Sequence, residues 1–122
     1  MNNLTINGNL VKDMEIKDVK GLLIGEFTIA NNQRVNKDKE ETTFLKCTLF
    51  GPRVEALEKY LVKGAKVLVS GRLSIVNVAN VEKEDGYKTY VSCIVNDLEI
   101  EKFVNAEEQP KKSSKYNKYK NR

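Results

Sequence analysis

At 122 residues and 40% hydrophobic content, the chain is long enough to fold around one modest core and too short for two. It contains no histidine and no tryptophan, which removes the commonest general base and the commonest metal ligand. The net charge of +4 is uneven: six of the 21 basic residues and no acidic one lie in residues 110–122, leaving 15 basic against 17 acidic before them, so a nucleic-acid site on the folded part has to come from local placement of charge.

Residues 4–12 open with strand-like alternation, Leu4 and Ile6 against Thr5 and Asn7. Gly8 inside that run predicts a bulge or a close backbone approach. Residues 13–21 read as a polar turn ending at Lys20-Gly21. A second strand is predicted over residues 22–31, with Leu23, Gly25, Phe27 and Ile29 on one face; a glycine there marks the sharp bend a small barrel needs. Residues 32–41 read as a polar loop carrying Arg34, Lys37 and Lys39.

The third predicted strand, in the stretch TTFLKCTLFG at residues 42–51, separates into two faces. Leu45, Cys47 and Leu49 suit a core. Phe44, Lys46, Thr48 and Phe50 point the other way, with two rings around a cation and a hydroxyl; rings can stack on bases, and lysine and hydroxyl can meet phosphate or sugar oxygens. Taken alone, the strand favours burying both rings in a second core or under a loop, because large aromatics are usually buried.

After Gly51-Pro52 the period changes. Val54, Leu57 and Leu61 predict one amphipathic helix of about three turns, stopped at Gly64. Residues 66–78 form a long fourth strand with Val67, Val69, Gly71, Leu73 and Ile75 on one parity. A polar tip at residues 82–86 ends in Asp85-Gly86, a hairpin signal. The fifth strand returns over residues 87–100. Its apolar parity switches between Val95 and Leu98, which predicts a bulge near Asn96-Asp97. Cys47 and Cys93, each on an apolar parity and in no CxxC pair, read as buried free thiols rather than a disulfide or metal site. The start has no basic leader or long apolar run, and no stretch is long enough to span a bilayer, so a cytoplasmic location is expected.

Three strands, one helix and two strands joined by a long hairpin is the order of an all-β, five-stranded Greek-key OB-fold barrel, assigned to residues 1–104. Residues 105–122 are polar, charged and aperiodic, and read as a disordered basic tail.

At this point the residues resemble the bacterial-type single-stranded DNA-binding protein family. The resemblance rests on LTINGNLVKD near the start, FTIANN at residues 27–32, TTFLKCTLFG, YLVKGAKVLVSGRL at residues 60–73 and the return strand at residues 90–95. It implies an OB-fold that binds single-stranded DNA, assembles as a homo-oligomer (a tetramer, with a dimer possible) and serves replication, recombination or repair on the nucleoid. It also implies that Phe44 and Phe50 stack bases, which reverses the reading of the isolated strand. Two further family tryptophans match Val35 and Val78, which cannot stack. The outer face of the fourth strand, usually basic, here offers Arg72 but then Ser74 and Val76. The acidic tip by which relatives recruit replication and repair enzymes is replaced by KSSKYNKYKNR, so recruitment of that kind is not expected.

The candidate DNA-binding residues are therefore Phe44, Lys46, Phe50 and Arg72, with Arg34 and Lys37 on the second loop and Lys88 and Tyr90 on the return strand. Lys115, Tyr116, Lys118, Tyr119 and Lys120 form an auxiliary tail site, against the plainer alternative of a solubilising tail. The competing function is a primosome-type protein-interaction module with weak or tail-dependent nucleic-acid binding. Catalysis is the least expected function, given the absence of histidine, of a phosphate-binding loop and of a carboxylate cluster at a core-strand end; no cofactor or metal is implied.

Overall fold

The computed structural model describes residues 1–79 and 86–104. The order is β1 (Leu4–Leu10), β2 (Glu15–Val19), β3 (Leu22–Asn36), β4 (Lys39–Phe50), α1 (Pro52–Leu57), β5 (Lys66–Ala79) and β6 (Tyr87–Lys102). The strands lie in the order β1-β5-β6-β4-β3-β2, and an added β1–β3 pairing closes five of them into a ring. The all-β OB-type barrel expected from the sequence is the fold observed.

Closure depends on backbones that approach where a side chain could not fit. β1 pairs with β5 from Leu4↔Gly71 to Asn9↔Lys66, and its last residues cross to β3 at Asn9↔Ala30 and Leu10↔Ile29. A Cβ on Gly8 would stand 2.6 Å from the Ala30 carbonyl oxygen, so the glycine does mark a close approach. Gly71 plays the same part against the Ile94 carbonyl oxygen. Beside it Ser70 pairs with Asp97 and Gly71 with Val95, leaving Asn96 as the extra residue of a bulge. The parity switch between Val95 and Leu98 is thus a true register shift. Two carbonyls freed by the bulge take an arginine: Arg53 donates from Nη1 to Asn96 O at 2.6 Å and from Nη2 to Val95 O at 3.2 Å.

The core is the inner parity of each strand. Ile29, Cys47, Leu49, Val67, Val69 and Cys93 are fully buried, and Val54, Leu61 and Met14 seal one end. Cys47 and Cys93 face each other in register and are free thiols. Burial and the neighbouring Cys93 push the Cys47 thiol up to about 12, and burial raises Cys93. β4 and β6 run parallel and meet at only Lys46↔Ser92, Cys47↔Cys93 and Thr48↔Ile94. The seam between the two long hairpins is therefore short.

Three expectations need correction. The segment expected to be a turn contains β2, which pairs with β3 from Glu15↔Glu26 to Val19↔Leu22. Lys20 and Gly21, both at positive φ (51° and 89°), make the tight link, with Asp18 Oδ1 accepting from the Gly21 amide at 2.9 Å. The expected loop at residues 32–41 is instead the end of a hairpin, with β3 and β4 paired to Asn36↔Lys39 and Val35 left out at a register shift. The helix is six residues rather than three turns; Leu61 reaches the core from the turn that follows. At Gly25, Met14 Sδ occupies the space a Cβ would take. Beyond the barrel, β5 and β6 run on as an arm, so Leu73 and Ile75 share the core parity but are exposed. The predicted tip at residues 82–86 lies, apart from Gly86, outside the described residues.

Two of the three crowded glycines yield a contrast. Gly71→Ala sets a methyl against a carbonyl and should cost at least about 2–3 kcal/mol in denaturant unfolding, at the upper end of overpacking changes. Gly25→Ala meets a flexible thioether first and should cost visibly less. Equal destabilisation at the two positions would contradict this account of closure.

Candidate nucleic-acid interface

The outward parity of the sheet forms one continuous surface. Across it the register sets Thr28 beside Lys46, Lys46 beside Ser92 and Ser92 beside Ser74. The next row is Glu26, Thr48, Ile94 and Arg72. Ile24 and Phe50 lie beyond that row; in the other direction Ala30 pairs with Phe44. On the β5–β6 arm, Val76 faces Tyr90 and Val78 faces Lys88. Six residues predicted separately along the chain, Phe44, Lys46, Phe50, Arg72, Lys88 and Tyr90, are thereby gathered on one face.

The rings on this face are open. Phe44 is 66% exposed, Phe50 39% and Tyr90 47%. Leu45, Cys47 and Leu49, between the two phenylalanines, are buried, so alternation holds Phe44 and Phe50 out of the core about 20 Å apart along β4. Lys88 Nζ lies 5.3 Å from the centre of the Tyr90 ring, a cation–π contact that places positive charge on a candidate stacking surface. Thr48 differs from expectation: at 8% exposure its hydroxyl is too covered to greet a ligand.

Arg34 and Lys37 are not beside this cluster but on the β3–β4 hairpin beyond Phe44, Arg34 opposite Glu40 and Lys37 in the connecting turn. Asn36 Oδ1 accepts from the Asp38 amide at 2.9 Å and shapes that turn, while Lys39 is ion-paired to Glu41 at 3.5 Å. Val35 and Val78 are both exposed on the arms. Lys115, Tyr116, Lys118, Tyr119 and Lys120 lie outside the described residues.

Two residues of the surface escape a reading by sequence alone, Glu26 and Lys17. Glu26 accepts from Lys17 Nζ on one carboxylate oxygen and from Lys46 Nζ on the other, each at 2.9 Å. The alternation of Glu26 with Phe27 and Ile29 marks it as outward-facing, but its partners follow only from strand register. Hydrogen bonds from Lys17, then Lys46, hold its carboxyl below the usual range, and Glu26 in turn raises Lys17. Elsewhere, a depression of about 120 Å³ lined by Thr5, Leu68, Ser70, Asp97, Leu98 and Glu99 carries two acids and no basic residue, a charge that repels phosphate. Among the described residues no helix is long and apolar enough to cross a membrane.

A depressed carboxyl stabilises the fold above its ordinary, unfolded-state value, and that contribution is lost as pH falls through the folded value. Glu26 should therefore titrate below 4.5 when followed by NMR of its side-chain carboxyl, and Lys46→Gln should move it back up. A Glu26 midpoint at or above 4.5 would remove the ion-pair geometry described here.

The model of the single-strand binding protein family matches residues 1–102. A single-stranded DNA-binding protein of Clostridium perfringens (strain 13 / Type A) is 32% identical over 97 residues, covering 78% of this chain and 61% of its own. One from Borreliella burgdorferi is 38% identical over 77 residues, covering 60% of this chain and 52% of its own. Single-stranded DNA-binding protein 1 of Clostridium acetobutylicum is 33% identical over 101 residues, covering 80% and 89%. The chain thus spans between half and two thirds of the first two relatives and nearly all of the third.

Proposed function

The chain belongs to the single-strand binding protein family, and from that premise we propose that it binds and protects single-stranded DNA on the outer face of β3, β4, β6 and β5. The observation that carries the reading is the pair of open rings, Phe44 and Phe50, flanking Lys46 on a face with no core to fill. Bases stack on Phe44, Phe50 and Tyr90 whatever their identity, because every base has a π-face; binding is therefore sequence-independent. Lys46, Lys88 and Arg72 meet phosphates along the strand, and Arg34 and Lys37 extend the path along the β3–β4 arm. The work is binding alone, with no bond made or broken. It fits a role in replication, recombination or repair, in the cytoplasm on the nucleoid, with copies of the chain assembled as a homo-oligomer such as a tetramer.

The basic tail supplements a nearly neutral folded part. Its lysines release counterions from phosphate, and Tyr116 and Tyr119 add stacking. A protein-interaction module is the second reading. It is favoured by the exposed apolar Leu73, Ile75 and Val91 on the β5–β6 arm and by valines at 35 and 78. Open Phe44 and Phe50 weigh against it.

Titration of fluorescent oligo-dT at two salt concentrations separates these readings. Phe44→Ala/Phe50→Ala should weaken binding about 30-fold or more while the protein stays folded, taking about 1–3 kcal/mol per stacked base, a range that comes from single-strand binders of this kind. Unimpaired binding by the folded double variant would move the site off this face. A chain ending at Gln109 should bind with a log–log salt slope flatter by about 0.7 for each phosphate that the tail neutralises. An unchanged slope would take the tail out of the site.

A further inference from the structure

The most heavily used group on the proposed face is an anion. Glu26 projects from β3 opposite Thr48, in the row between Lys46 and Phe50. Its side chain is only 19% exposed, whereas Lys46 and Lys17 are 49% and 61% exposed. The carboxylate therefore sits low on the sheet, and both ammonium groups lean over it toward solvent. Each lysine spends one of its three donors on Glu26 and keeps the others for a ligand. The same carboxylate removes one unit of charge from the spot where a phosphate would arrive.

We propose that Glu26 sets the affinity of this face as an internal counter-ion, competing with the phosphates of a bound strand for Lys46 and Lys17. The inference rests on the reading of this face as the single-strand site. It also adds Lys17, on a strand absent from the sequence-based expectation, to the residues a strand meets. Before binding, Glu26 ties Lys17 from β2 and Lys46 from β4 to one carboxylate, in the row next to that of Phe50. When a strand lands, phosphate oxygens take over donors that Glu26 held, so part of each lysine's attraction is spent on displacing an interaction within the protein. Exposed ion pairs are worth little each, which lets phosphate displace them. The remaining acid nearby, Glu15, stands opposite Glu26 on β2 and is paired to Lys12 at 3.2 Å. The cluster of Lys12, Lys17 and Lys46 with Glu15 and Glu26 is thus held to one net positive charge while the lysines stay placed.

The test is oligo-dT titration of the full chain over a salt series for the wild type, Glu26→Gln, Glu99→Gln, Lys46→Gln and the Glu26→Gln/Lys46→Gln pair, with thermal melts of each. Glu99→Gln makes the same charge change on the acidic outer surface across the barrel, where Glu99 lines the depression. Glu26→Gln should bind roughly three- to tenfold tighter at low salt, with a slope steeper by about 0.7 for each lysine released. The gain should shrink when Lys46 is already Gln, and Glu99→Gln should produce neither effect. Equal or weaker binding by a folded Glu26→Gln with an unchanged slope overturns the proposal and leaves Glu26 a structural tie. An equal gain from Glu99→Gln overturns it too, since net charge alone would then suffice. If Phe44→Ala/Phe50→Ala weakens binding while Glu26→Gln changes nothing, this inference falls and the site stands; if the wild type fails to bind oligo-dT, both fall.

Discussion

The molecule depends on two places where one strand must touch another's backbone. At Gly8 and Gly71 the neighbouring carbonyls of Ala30 and Ile94 occupy space a side chain would need. The first approach lets β1 leave β5 and reach β3, which closes the ring. The second sits at the Asn96 bulge, where β6 changes which parity faces inward. Without that change the apolar residues of one half of β6 would face solvent. The bulge thus lets both halves of β6 within the barrel, Cys93 and Val95 before it and Leu98 and Ile100 after it, turn their apolar residues inward, and Arg53 satisfies the carbonyls it frees. The outward set of Lys88, Tyr90, Ser92 and Ile94 keeps its alignment with β4 because the disruption lies beyond it.

On that frame the outer face is built for contact rather than burial. Its rings stand open where alternation denies them a core, and its charge is arranged in small groups, each with one net positive charge. Lys46 and Lys17 share Glu26; Lys88 lies against Tyr90. On the reading proposed above, such a surface attracts a polyanion through few contacts at short range, consistent with 15 basic and 17 acidic residues before residue 110.

Much of this is legible in the chain itself. The two faces of β4 follow from alternation, and the parity switch in β6 locates its bulge. Gly8 gives away the close approach. Other elements are hidden for physical reasons. β2 has a single buried apolar residue, Ile16, so it lacks a strand period, and its turn uses Lys20 where Asn or Asp would have been the signal. The β3–β4 extension is held by ladder hydrogen bonds with no core beneath it, and polar strands of that sort look like loops. The helix is overestimated because Leu61 keeps the apolar spacing although the chain has left the helix by then. The Glu26 bridge needs the register of three strands at once, which no local pattern contains.

The brevity of the β4–β6 seam has a mechanical meaning. Two long hairpins, β3–β4 and β5–β6, are sewn together along only three residue pairs. The outer face runs straight across that stitching, with Phe44, Lys46 and Phe50 on one side and Arg72, Lys88 and Tyr90 on the other. On the reading proposed above, a polymer laid over the face is therefore also a suture. Whatever free energy it gains by touching both banks is withheld from any opening in which the banks part, and local opening at the seam becomes rarer in proportion to occupancy.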